Sequence, residues 1–164
     1  MKSIFALLLC ATSLNSFAQC STFFSVSKDK FSDKSTIALK EPFVFAATDS
    51  TSAFGVNLMK QVGAKDFYLT FVVDGACLGE SAKIRFAFID GSNYMVYSSY
   101  KRNCEGTAFV PLGNMMAMKK SYNILSSKII DAVSIETVSG NKYIEFDETL
   151  GEKVKEMVIC LNSM

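Results

Sequence analysis

The sequence predicts an all-β domain, mainly an antiparallel β-sandwich of about seven or eight strands, with one C-terminal α-helix packed on it. Three features carry that prediction. Apolar residues recur at a period of two in "DFYLTFVVDG", in "KIRFAFIDGSNYMVY" and again from Ala132 to Phe146. Turn-forming Asp-Gly pairs and isolated prolines separate these runs. The period changes to a helical one only after Phe146, where Leu150, Val154, Met157, Val158 and Leu161 line one side of a helix over about residues 149–161.

The first 18 residues are expected to be removed. Lys2, the apolar run Ile4 to Cys10 and the small-residue stretch Ser16-Phe17-Ala18 have the layout of a bacterial secretory leader cleaved after Ala18. The apolar run is far shorter than the roughly 20 residues that span a bilayer. No transmembrane segment is therefore expected after cleavage. Cys20 offers a second reading as a lipidated N-terminus, but Gln19 stands where such signals carry a small residue.

Residues 19–164 then form a single β-rich domain. Phe23-Phe24, Ile37, Leu39, Phe43 and Phe45 are its first expected buried points. Pro42 splits the segment around it into two short strands, the first at a sheet edge. Asp49 to Ser52 is a turn, Val56 and Leu58 suggest a short strand, and Phe67, Leu69, Phe71 and Val73 form a strand closed by Asp74-Gly75. Ile84, Phe86 and Phe88 face inward on the next strand. A tight turn at Asp90-Gly91 then predicts Phe86 opposite Met95, Ile84 opposite Tyr97 and Cys77 opposite Cys104, with Gly79 as the place for a bulge. In a two- or four-residue loop Met95 and Tyr97 stay on the inward face.

Thr107 to Leu112 is a short strand ended by Pro111, and "GNMMAMKKSYN" an irregular or briefly helical connection. Val133, Ile135 and Thr137 face inward, Ser139 to Lys142 turn, and Ile144 and Phe146 return on the same face. The last helix starts behind a capping box made by Thr149 and Glu152.

Composition narrows function by exclusion. Without the leader the chain has 16 basic and 16 acidic residues, interspersed, which argues against nucleic acid as a partner. There is no histidine. Ser-His and Cys-His nucleophilic pairs and His-ligated metals are excluded with it. The sequence also calls for no cofactor. Four cysteines remain after the leader, and in an exported protein an even count points to disulfides in an oxidising compartment. Four cysteines allow three connectivities, and the hairpin favours the one that joins Cys77 to Cys104 and leaves Cys20 for Cys160.

Four groups are candidates for chemistry or recognition. The register that sets Ile135 against Phe146 places Glu136 against Glu145, a weak candidate for Ca²⁺ or for an acid and base pair; two solvated glutamates are the ordinary reading. Ser25 and Lys28 have Ser-x-x-Lys spacing, but in a strand or irregular segment that spacing does not join them. Met115, Met116, Met118 and Tyr122 form a possible soft partner surface, or fill gaps under a loop. Tyr94, Tyr97, Tyr100, Lys101 and Arg102 suggest an aromatic and basic surface, or edge-strand packing. The function expected is a non-enzymatic module of the envelope or of the secreted fraction that binds a protein or surface ligand. The alternatives are a barrel-like carrier of a small apolar ligand lined by the many phenylalanines and, last, a carboxylate-based hydrolase.

Overall fold

A computed structural model describes residues 20–30, 33–46, 53–99 and 101–164. The predicted leader, the turn at Asp49 to Ser52 and Tyr100 lie outside the described residues. Residues 20–23 make a helical turn. The named elements follow as β1 (Phe24–Lys28), β2 (Ser35–Leu39), β3 (Phe43–Ala46), β4 (Ala53–Gln61), β5 (Phe67–Val73), β6 (Lys83–Phe88), β7 (Asn93–Tyr97), β8 (Thr107–Leu112), α1 (Met116–Leu125), β9 (Ile130–Thr137), β10 (Gly140–Glu145) and α2 (Glu148–Ser163).

Every strand pairing is antiparallel, as the short turns require. One sheet of six strands has the order β1-β2-β4-β5-β8, with β3 also on β4; the other has four strands in the order β10-β9-β6-β7. Among the described residues the strands number ten rather than seven or eight. β1 is an addition, because the two short strands expected on either side of Pro42 are β2 and β3. That proline does not put β2 at an edge. β2 lies along Met59–Gln61 and β3 along Ala53–Val56, so the two short strands share the length of β4 and β1 takes the edge.

Phe54, Phe67, Phe71 and Phe86 are fully buried between the sheets. Phe71 of the larger sheet meets Phe86 of the smaller at 6.0 Å between ring centroids, and Phe45 meets Phe146 at 5.5 Å. Burying side chains of this size contributes about 1.5–3 kcal/mol each before the entropy of ordering them is subtracted.

The first hairpin departs from its predicted register in two places that cancel. Phe88 N–H donates to Ser92 O at 3.0 Å and Gly91 N–H to Phe88 O at 2.8 Å, so the loop has three residues and Gly91 takes φ +79°. An odd loop reverses side-chain parity. Phe86 therefore pairs with Tyr94 and Ile84 with Val96; Tyr94 and Val96 pack toward the core, while Met95 and Tyr97 face outward. Beyond the ladder, Leu78 and Asn103 exchange hydrogen bonds of 2.7 and 3.2 Å. The second strand has gained one residue between Ser98 and Asn103, not at Gly79. That gain restores the facing of Cys77 and Cys104, which are bonded, and Cys20 is bonded to Cys160.

The second hairpin turns earlier than predicted. Thr137 pairs with Gly140 across a two-residue loop, and Thr137 Oγ1 donates to Gly140 O at 2.6 Å. The shift is even, so Val133, Ile135 and Ile144 keep the buried face.

Two findings concern helices. The methionine segment takes the helical of its two readings as a ten-residue helix, α1, so the C-terminal helix is not alone. Its Ser121 and Leu125 are buried, and Tyr122 meets Phe67 edge-on at 6.1 Å. In α2 the cap is Asp147, whose Oδ1 accepts from Leu150 N–H at 2.8 Å, in place of Thr149 with Glu152. Val154, Met157, Val158 and Leu161 are buried as the spacing predicted. Lys60 continues the inward face of β4 and donates to the Leu161 carbonyl at 3.2 Å. A cation suits the C-terminal end of a helix, and burial pulls the Lys60 ammonium below the usual lysine pKa.

Candidate binding face

The acidic pair does not form. Glu136 lies across from Asn141 and Glu145 across from Ala132. Glu136 turns instead to β6, accepting from Lys83 N–H at 3.2 Å with the Lys83 ammonium at 4.0 Å. Among the described residues no group of three or more His, Cys, Asp or Glu could hold a metal. Ser25 and Lys28 sit at odd spacing on β1, so they point to opposite faces, and Lys28 pairs with Asp33 at 2.8 Å.

The methionine group divides. Met115 and Met116 are exposed, Met116 by 94%, whereas Met118 is half-buried and Tyr122 packs on the core. The tyrosines divide as well. Tyr94 faces inward, with its hydroxyl 2.8 Å from Ser121 Oγ, and Tyr97 faces out beside Lys83.

A larger feature went unread in the sequence. The outward positions of the six-stranded sheet form cross-strand rows: Ser27–Thr36–Gln61, then Ser25–Ala38–Met59–Tyr68–Pro111, then Asn57–Thr70–Phe109, then Val44–Gly55–Val72–Thr107. None of these residues is charged. The smaller sheet differs on its outer face, which carries Lys83, Arg85, Glu136 and Glu145 among the described residues. A solvent-facing sheet surface is ordinarily polar at its outward positions. Here Val44 is 73% exposed, Val72 39% and Tyr68 37%. Tyr68 and Phe109 meet edge-to-face at 6.2 Å in the middle of the patch.

Beside that pair the face has an unmet hydrogen-bonding need. Asn57 and Thr70 are direct cross-strand partners, and Asn57 Oδ1 and Thr70 Oγ1 are both buried without a hydrogen-bond partner. Buried polar atoms are almost always paired, because an orphan loses its hydration without compensation. At one end of the face a cleft of about 460 Å³ opens between Thr36, Met59, Gln61, Ala64, Asp66 and Tyr68, with Lys60 also on its wall. Asp66 Oδ1 accepts from Asn114 N–H at 3.3 Å, which ties this end of the sheet to the loop carrying Met115.

Comparison with protein-family models, with characterised proteins and with solved structures gives no match to this chain.

Proposed function

We propose that this protein is a non-enzymatic exported binding module that engages a protein or surface component of the cell envelope through the outer face of its six-stranded sheet. The observation that carries this reading is the run of four outward rows without a charge, on a protein whose other sheet carries charges in the same positions. Exposed apolar surface rimmed by polar residues marks interaction sites, and loss of charge is the compositional signature of an interface centre. The exposed Met115 and Met116 follow Asn114, whose N–H is bonded to Asp66 on the cleft. Both disulfides are compatible with an oxidising compartment, and among the described residues no helix is long and apolar enough to cross a membrane.

The carrier reading asks the phenylalanines to line a space. They pack against one another instead, Phe71 on Phe86 and Phe86 on Phe88.

The test places charge on the face. Val44→Glu with Val72→Lys is expected to leave the circular dichroism spectrum unchanged and to abolish copurification with the envelope partner, while Arg85→Glu on the opposite sheet leaves it intact. A partner retained by the double variant, or lost with Arg85→Glu, overturns the assignment.

A further inference from the structure

We infer that the cleft at the end of this face is a subsite for an uncharged oligosaccharide. The inference rests on the outer sheet face being the binding surface and names the chemistry its end would take.

A pyranose ring has an apolar face of C–H groups and an equator of hydroxyls. Its sites therefore need an aromatic or apolar platform beside amide, hydroxyl or carboxylate groups. The cleft meets each requirement. Tyr68 supplies an exposed ring, held edge-on by Phe109, and Met59 supplies apolar wall. Gln61 and Thr36 form one cross-strand pair on the floor's margin, so an amide and a hydroxyl stand side by side. Asp66 adds a carboxylate, one oxygen of which is positioned by Asn114 N–H. The volume, about 460 Å³, falls within the range of small-molecule sites.

Charge selects among ligands. Lys60 is the cation on the cleft wall, and its ammonium is directed inward to the Leu161 carbonyl. Among the described residues the cleft thus provides no cation for a phosphate, sulfate or acidic sugar, and an anionic chain would meet Asp66. A neutral, hydroxyl-bearing chain meets neither problem. It also has a route onward: the row next to Tyr68 holds the unpartnered Asn57 and Thr70 oxygens, which are acceptors for hydroxyl donors once neighbouring side chains shift.

The experiment is an amide-resolved NMR titration of the mature, oxidised protein with three neutral probes, cellotetraose, maltotetraose and chitotetraose, each up to about 10 mM, a concentration that reports even millimolar sites. At least one probe is expected to shift the amides of Thr36, Gln61, Asp66 and Tyr68. Tyr68→Ala removes the platform and abolishes the shifts, and Gln61→Ala, at an exposed position, weakens binding by about tenfold, the equivalent of about 1.4 kcal/mol. Absence of shifts with all three probes, or shifts centred elsewhere, overturns the sugar assignment. The charge-insertion copurification assay separates the two readings. If it succeeds while the titration fails, the face binds but not through sugar; if both fail, both fall.

Discussion

Replacing Cys20 and Cys160 by alanine should destabilise the protein more than replacing Cys77 and Cys104. The two bonds close loops of very different length, with sequence separations of 140 and 27. In the chain-entropy description a link restricts the unfolded chain by an amount that grows with the logarithm of loop length, which gives about 5 kcal/mol for the longer loop and about 3.6 kcal/mol for the shorter. The difference, about 1.4 kcal/mol, corresponds to a tenfold change in the folded-to-unfolded ratio. Position reinforces the order. Cys20 and Cys160 are buried, whereas Cys104 is exposed, so removing the first pair also subtracts sulfur atoms from the core. The longer link joins the segment leading into β1 to α2, and its loss is a large fraction of the 5–15 kcal/mol that typically separates folded from unfolded domains. Urea denaturation of the two double variants, with midpoints and slopes fitted separately, measures the difference. Equal stabilities, or a less stable Cys77/Cys104 variant, would refute the reasoning.

Three further predictions concern single positions. Lys128 donates to Asp90 at 2.7 Å, and with Ser92 it holds the Asp90 carboxyl well below the usual carboxylate range; the stability this gives is present above the ordinary aspartate pKa of about 3.9 and is lost as pH falls below it, so Asp90→Asn should flatten the acid limb of a stability-versus-pH curve. An unchanged limb below about pH 4 would count against that link. Gly106 has φ +67°, and an added Cβ would stand 1.9 Å from the Val73 carbonyl oxygen; Gly106→Ala should cost more than about 2 kcal/mol in thermal or urea unfolding, and a near-neutral variant would show that the turn relaxes freely. Thr70→Val removes an unpartnered buried hydroxyl and should raise stability by about 1 kcal/mol; a loss of stability would reveal a hydrogen bond to that oxygen.

The strands were legible where one face is buried and the alternation is strict, as in Phe67–Val73, whose residues 67, 69, 71 and 73 are all fully buried. Registers were harder to read, because they depend on loop length, and Asp90-Gly91 is compatible with two, three or four loop residues. The choice of three reversed the faces of β7, and the choice of two at Val138-Ser139 separated Glu136 from Glu145. The cysteine pairing survived because the extra residue before Asn103 offset the turn. Helix α1 was hidden by its methionines, which are apolar on the exposed side as well and so blur the helical period carried by Met118, Ser121, Tyr122 and Leu125. The uncharged face was written in the sequence as what its outward positions lack. Tyr68, Thr70 and Val72 alternate with the core residues of β5 just as Lys83 and Arg85 alternate with those of β6, but only strand order shows that the uncharged positions of six strands lie side by side.

Site-specific photo-crosslinking in the intact envelope tests the central claim most directly. A photoreactive residue placed at Val72, on the uncharged face, is expected to give a discrete high-mass adduct on irradiation, and the same residue at Arg85, on the outer face of the other sheet, is expected to give none. Adducts from position 85 with none from position 72 would contradict the assignment of the six-stranded sheet as the surface through which this protein binds.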